Sequence, residues 1–257
     1  MKILVCIKQV MDRDARLEVE PGGRWPVAGP DSAFRISRFD EQALEKALLL
    51  KDRNPAAEIH VLSLGPQRVA GAIGRALAKG ADHGIHLLDD SPCLPAFATA
   101  TRIAEYACGQ GFDLILAGVM SEDAMQCQVG PMLATMLAIP CAVAVVALAT
   151  GPNEKEVLVE SELAGGIREK ISVPLPALLT IQSSGSQPRY PSLSNILKAK
   201  GKTIFTVDRP EGKEVKDSDI FGSLAPPQMP IKGHILSGTT EEKAGQLLQI
   251  LNERSLL

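Results

Sequence analysis

The chain has 257 residues, 45% of them hydrophobic, and a formal net charge of -3, enough for one sizeable core with sequence left over for an extension. Slight acidity, with basic residues scattered except for one late cluster, argues against a nucleic-acid function. Five cysteines (Cys6, Cys93, Cys108, Cys127, Cys141) with no CxxC pair fit neither a disulfide scaffold nor a zinc site; with no basic leader and no run of roughly 18 apolar residues, a cytoplasmic protein is expected.

Ile3-Leu4-Val5-Cys6-Ile7 is a short continuous apolar run, as expected of a strand covered on both faces. Arg16 to Glu20, the turn Pro21-Gly22-Gly23 and Trp25 to Val27 read as a small hairpin projecting from the core. Asp40 to Lys51 places Ala43, Ala47, Leu48 and Leu50 at helical spacing, with Glu41 in the first turn and Lys51 and Arg53 at the end, complementing the helix dipole. Glu58 to Leu64 is a second strand, ended by Gly65-Pro66, and Val69 to Lys79 is an amphipathic helix stopped by Gly80. Ile85 to Leu88, Ala96 to Cys108 and Asp113 to Gly118 supply strand, helix and strand.

This alternation predicts an α/β fold: a doubly wound, mainly parallel sheet with helices on both faces, since parallel neighbours need crossover connections. Gln128 to Leu137 is a helix opened by Gly130-Pro131. Cys141 to Leu148 and Val157 to Leu163 are further strands, and the alternating run Ile171 to Ile181 after Gly165-Gly166 suggests antiparallel additions at the sheet edge. Beyond Ile181 come a Ser/Gly loop, a short helix over Leu193 to Lys200, and a stretch from Asp208 to Pro230 rich in Pro, Gly and charge, which reads as an arm. The last helix, Thr239 to Leu251, lines Ala244, Leu247, Leu248 and Leu251 on one stripe that needs a surface to dock on, making a partner subunit plausible.

In an open doubly wound sheet, ligands bind beyond the carboxyl ends of the strands. Three loops lie there: Lys8 to Asp12, Ser63 to Pro66, and Gly118 to Gly130. The third is the best candidate, because Gln128-Val129-Gly130-Pro131 opens a helix whose free N–H groups and positive dipole end suit a phosphate. Its plain alternative is a tight turn with no ligand. Neither a Walker A lysine motif nor a GxGxxG fingerprint is present. His83 and His86, with no third His nearby and no convincing carboxylate partner following, read as surface or helix-end residues, so no metal site is expected. Cys6 and Cys127 read as small packing residues near the ligand region, not nucleophiles. No catalytic triad is found, and Lys198, Lys200 and Lys202 read either as a solvated helix end or as part of a docking element.

Five stretches, in order, resemble the electron-transfer flavoprotein beta family over essentially the whole chain. They are Val5-Cys6-Ile7-Lys8-Gln9-Val10 with Asp12; Phe39-Asp40-Glu41 through Leu48; Ala76 to Asp82; Asp113 to Gly118 through Gln128-Val129-Gly130-Pro131; and Leu175-Pro176-Ala177 followed by Pro188 to Leu193 and Lys198 to Lys200. The resemblance implies an adenine nucleotide alpha hydrolase-like fold, a heterodimer with an alpha subunit that carries most of the FAD site, and AMP bound by the beta subunit. By position, Cys6, Ser63, Gly65, Asp123, Cys127, Gln128, Val129 and Gly130 would line the nucleotide pocket and Phe39 would approach the flavin. Leu193, with Ile196 and Lys198, would dock on a partner dehydrogenase, and Glu162 would steer the mobile flavin domain. The implied division is a nucleotide-binding domain over 1–183, a recognition loop and short helix over 184–202, and a C-terminal arm and helix over 203–257 that docks on the alpha subunit.

The implied role is an electron carrier, not an enzyme, working between an acyl-CoA or similar dehydrogenase and a quinone-linked oxidoreductase. The sequence departs from the family at Arg13, Ser37-Arg38, Met120 and Met125, which thins the polar pocket and leaves AMP, no ligand, or a second FAD as in the electron-bifurcating branch. Gly165-Gly166 and Arg189-Tyr190 look more like the non-bifurcating branch. The competing class is a stand-alone adenine-nucleotide enzyme or sensor, against which Lys8 to Arg13 lacks a Ser/Gly-rich phosphate cradle.

Overall fold

Hydrophobic side chains along the first strand divide by parity, and that division sets the layers of the molecule. The computed structural model describes residues 1–12, 14–15, 17–19, 23, 26–29, 31–91, 94–151, 154–208 and 233–256. In β1 (Lys2–Cys6), Ile3 and Val5 enter one buried cluster while Leu4 and Cys6 enter another, as the two-residue period of a strand requires. The chain continues through β2 (Gln9–Met11), β3 (Leu17–Glu18), β4 (Val27–Ala28) and β5 (Phe34–Ile36) into α1 (Arg38–Arg53). Next come β6 (Glu58–Gly65), a single 3-10 turn over Gln67–Val69, α2 (Ala70–Lys79), β7 (His83–Leu88), α3 (Ala96–Ala107), β8 (Leu114–Gly118) and α4 (Val129–Leu137). The remainder is β9 (Cys141–Thr150), β10 (Glu156–Glu162), β11 (Arg168–Pro174), β12 (Ala177–Ile181), α5 (Leu193–Lys200), β13 (Ile204–Val207) and α6 (Thr240–Glu253).

Nine strands form one sheet in the order β11-β10-β9-β12-β8-β1-β6-β7-β13. From β9 to β13 every neighbouring pair is parallel, and β10 and β11 add antiparallel at one edge. The faces are covered as a doubly wound fold demands. One cluster joins Ile3, Val5, Ile59 and Val61 to Leu44 and Ala47 of α1 and to Ile73 and Leu77 of α2. The other joins Leu4, Leu62 and Ile85 to Ile103 of α3 and Leu133 of α4.

Two expectations are corrected. The run Ile171 to Ile181 is not one edge addition: it breaks at Leu175-Pro176 into the antiparallel edge strand β11 and the interior parallel strand β12, which lies between β9 and β8. All five residues of β12 are buried, whereas β11 is mostly exposed, and Ala-Leu-Leu-Thr-Ile is the continuous apolar run of a doubly covered strand. Residues 203–257 are not wholly an arm, because β13 extends the sheet parallel to β7. Of the projecting hairpin, the β3–β4 pairing is present and Pro21 and Gly22 of its turn lie outside the described residues, as does most of the Asp208 to Pro230 stretch. A second antiparallel pair joins β2, within the expected loop Lys8 to Asp12, to β5. Its members are too short to show a period.

α6 opens with a capping box, in which Thr239 Oγ1 accepts from the Glu242 N–H and the Glu242 carboxylate accepts from the Thr239 N–H. None of its residues is buried, and Leu247 and Leu248 are about half exposed.

Candidate nucleotide site and recognition loop

The carboxyl ends of β1, β6 and β8 open onto a cavity of about 320 Å³, the lower end of the size range for small-molecule sites. Cys6, Gly65, Asp123, Cys127, Gln128, Val129 and Gly130 line it, together with Lys8 and Ser121 of the expected ligand loops and with Asp40 and Arg68, which the sequence did not single out. Leu62, Leu64, Val69, Leu94 and Ile103 make an apolar wall. Ser63 lies apart: Leu62 and Leu64 point into the cavity, so Ser63 points to the other face, fully buried and with its Oγ lacking a hydrogen-bond partner. Phe39 is also outside the lining, half-buried in the first turn of α1 with the Arg38 guanidinium 5.0 Å from its ring.

The start of α4 carries no side-chain cap, and the N–H groups of Val129 and Gly130 are first-turn donors without a helical acceptor. The helix can sit so close to the sheet because residue 130 has no side chain; a Cβ there would collide with the Thr180 methyl of β12. The loop before it holds Met125 and Cys127 at φ of 53° and 57°, a left-handed conformation that non-glycine residues rarely adopt and that clusters at ligand-binding turns.

Asp40 organises the cavity floor. Its carboxylate accepts from the Lys8 N–H after β1 and from the Gly118 N–H at the end of β8, both at 2.8 Å. Burial pushes its pKa up to about 7, against the lowering effect of those two donors and of the Lys8 ammonium. Cys6 is pushed up to about 12, chiefly by burial and then by the Asp40 charge, so its thiol stays neutral and cannot serve as a nucleophile. At the mouth, the Lys8 ammonium pairs with Asp123 at 2.8 Å. The sequence signal for Asp40 was present but ambiguous, since an acid in the first turn of a helix already has a sufficient reason in the dipole. Arg68 lay unnoticed in a 3-10 turn, and Leu94 in a loop after β7 that carries no glycine motif.

The segment before α5 is fastened to α1. Arg189 donates its backbone N–H to Glu45 Oε2 at 2.9 Å and its guanidinium to Glu45 Oε1 at 2.9 Å and Asp52 Oδ2 at 2.7 Å. Lys46 Nζ donates to the Ser184 carbonyl at 2.8 Å, and Gln42 accepts from the Ser184 N–H at the same distance. Ser192 caps α5 by accepting from the Asn195 N–H. From this anchored base Tyr190 (92% exposed), Leu193 (74%), Leu197 (61%) and Ile196 (37%) face outward, and Lys198 is exposed in the last turn of α5. Glu162, the last residue of β10, accepts from Gln182 Nε2 at 2.9 Å beside the glycines 165 and 166, both at φ 75°.

Fold and site thus define an α/β protein with a phosphate-suited helix start beyond the carboxyl edge of a parallel sheet and an apolar patch on a tethered arm. The electron transfer flavoprotein domain family matches residues 29–211. The electron transfer flavoprotein subunit beta of Methylophilus methylotrophus is 31% identical over 98% of each chain, and the mitochondrial one of Oryza sativa subsp. indica is 36% identical over 94% of this chain and 95% of its own. A subunit named for the caffeyl-CoA reductase-Etf complex, CarD of Acetobacterium woodii, is 32% identical over the full length of both. This chain belongs to the electron transfer flavoprotein family, as a beta subunit.

Proposed function

We propose that the chain is the stationary half of a heterodimeric, cytoplasmic electron carrier, performing no bond chemistry itself, that shuttles electrons from an acyl-CoA or similar dehydrogenase to a quinone-linked oxidoreductase. FAD, held mainly by the alpha subunit, supplies the redox chemistry when bound. The beta chain keeps an adenine nucleotide, AMP, in the cavity over β1, β6 and β8. What carries this reading is the uncapped start of α4: its Val129 and Gly130 N–H groups border the cavity, where a phosphate would find donors and a favourable dipole. The apolar wall suits an adenine, and the close approach enforced at Gly130 leaves the donors accessible.

Phe39 and the first turn of α1 present an aromatic surface toward the flavin side. Glu162 restrains the moving flavin domain, and Leu193, Ile196 and Lys198 receive the dehydrogenase. A hinged carrier needs such division between a fixed frame and a moving cofactor, because the flavin must meet successive partners. No helix among the described residues is long and apolar enough to cross a membrane.

The test is to co-express the chain with its alpha subunit, release small molecules with acid, and count FAD and AMP per dimer. One of each supports the carrier with AMP. Two FAD and no AMP would make it a bifurcating subunit, and one FAD alone would remove the nucleotide from the cavity. A chain that folds alone and binds ATP would instead be an enzyme or sensor.

A further inference from the structure

At the opposite edge of the sheet, three ligating side chains converge outside the nucleotide cavity. Glu58 and His60 stand two apart on β6 and therefore share a face, and His83 opens β7 directly opposite His60 in the parallel register. Glu58 Oε1 lies 2.6 Å from His83 Nε2 and 3.4 Å from His60 Nε2, and the three ligating atoms all fall within 4.8 Å of one another. His86, three positions on from His83 in sequence, is not a surface residue: it is buried and its Nε2 meets the Gly65 carbonyl at 2.8 Å. The true neighbour of His83 is 23 positions earlier and visible only through strand pairing.

Two features separate this cluster from a chance surface ion pair. The imidazoles stack with centroids 4.5 Å apart, and Phe112 backs His60 edge-on at 5.4 Å, so His60 is held in place with its side chain only 14% exposed. His60 Nε2 is buried without a hydrogen-bond partner; the 3.4 Å approach of Glu58 is an ion-pair distance that does not meet hydrogen-bond geometry. A buried ring nitrogen left without a hydrogen-bond partner and facing a carboxylate oxygen calls for an explanation, and a shared cation between the two supplies one.

We propose that Glu58, His60 and His83 form a site for a divalent first-row transition ion, zinc foremost. Two imidazole nitrogens and one carboxylate oxygen are a borderline donor set that suits zinc, with a fourth position left to water on the exposed side. Tetrahedral bonds of about 2.0–2.1 Å would space the ligand atoms roughly 3.3 Å apart. The Glu58 spacings of 2.6 and 3.4 Å bracket that value, and the remaining histidine spacing, within 4.8 Å, closes by rotation of Glu58 and His83, whose side chains are about half exposed, around the fixed His60. The Lys2 ammonium, whose charge is felt at His60, is engaged by other groups: its Nζ donates to the Gln110 carbonyl at 2.8 Å and rests over the Phe112 ring. Bound there, the ion clips β6 to β7 at their amino ends, away from both the nucleotide and the recognition loop, and binding of ligand to the native state alone raises stability.

The test uses the heterodimer with its flavin, stripped with chelator and dialysed. Titration with zinc chloride by calorimetry should give one ion per beta chain in the micromolar range, and the melting temperature should rise with zinc concentration. His83→Ala and Glu58→Gln, both at exposed positions, should each weaken binding at least about tenfold, the scale of a lost ligand or its support, while flavin absorbance stays unchanged. Cobalt in place of zinc should give a visible spectrum without thiolate charge-transfer bands. Absence of zinc uptake would overturn the proposal. So would uptake that survives both substitutions but disappears when the exposed Cys108, Cys127 and Cys141 are alkylated.

Discussion

The Gly118 N–H donates to Asp40 Oδ1 at 2.8 Å, and the same carboxylate takes the Lys8 N–H through Oδ2. One side chain on α1 therefore ties together the two strand ends that frame the cavity. The arrangement has a pH signature. Burial holds Asp40 at about 7 in the folded chain, whereas an unfolded aspartate titrates near ~3.9. Between those values the native state binds the proton more tightly than the unfolded chain. This group's contribution to stability is thus full below pH ~3.9 and is lost as pH rises through about 7. Urea midpoints measured from pH 4 to 8 should decline less steeply in Asp40→Asn than in the parent. Identical slopes would assign the pH dependence to other groups.

Gly118 is demanded by the same contact. A Cβ at this position would lie 2.5 Å from Asp40 Oδ1 and 2.8 Å from both the carbonyl carbon and the Cβ of Phe39, and backbone cannot yield as a flexible side chain does. Gly118→Ala should cost about 1–3 kcal/mol, the range for overpacking, and reduce the nucleotide retained after gel filtration. Gly71→Ala, at an exposed position of α2 where nothing lies within 4 Å, is the matched control and should be neutral or stabilising by up to about 1 kcal/mol. Equal effects of the two would show that the Asp40 junction tolerates displacement.

Arg189→Ala leaves Glu45, only 4% exposed, without its guanidinium. Removal of one partner from a buried pair costs about 3–5 kcal/mol; because a third of Arg189 is exposed, the loss should fall at or below the lower end. Denaturant unfolding measures it, and amide exchange over residues 184–200 should accelerate more than exchange in β1 or β8. Glu45→Gln in the Arg189→Ala background should recover part of the loss by discharging the stranded carboxylate. If the double variant is no more stable than the single, the pair contributes packing and little charge.

The parallel sheet was legible because its strands are largely apolar runs separated by helices of 3.6 period; β1 and β8 show this most plainly, while β6 carries His60 and Ser63 among its apolar residues. β12 was harder. Its five residues directly follow β11 with only a Leu-Pro break, so a single alternating run and two strands of opposite role look alike until pairing is known. The phosphate-suited turn at Gln128 to Gly130 could be read from helix-start chemistry alone. Ser63 could not be excluded from the pocket by the same means, because a strand's parity relative to the cavity is fixed only by which face the helices cover. The Glu58, His60 and His83 cluster was likewise invisible, since His60 and His83 are brought together by strand register and by nothing local.

The anchoring of Arg189 bears on how Leu193 would act. An apolar plug on a floppy loop loses binding energy to the ordering of the loop, typically about 0.5–1.5 kcal/mol for each side chain immobilised. Here the base of the loop is already ordered by Glu45, Asp52 and Lys46, so Leu193 can engage a pocket with little further cost. A single anchor of this kind gives modest affinity and fast release, which suits a carrier that must leave one partner for the next. Leu193→Ala should therefore leave the heterodimer, its flavin content and its melting temperature unchanged, because the side chain is 74% exposed. It should slow electron transfer from the dehydrogenase, chiefly through a higher KM, by about tenfold, the equivalent of about 1.4 kcal/mol. Arg189→Ala should slow the same step with Leu193 intact, since the plug would then have to be ordered on docking. Unchanged transfer in the Leu193 variant would remove the docking role from this loop. Slowed transfer there with normal transfer in the Arg189 variant would keep the plug but discard the claim that its base is pre-organised.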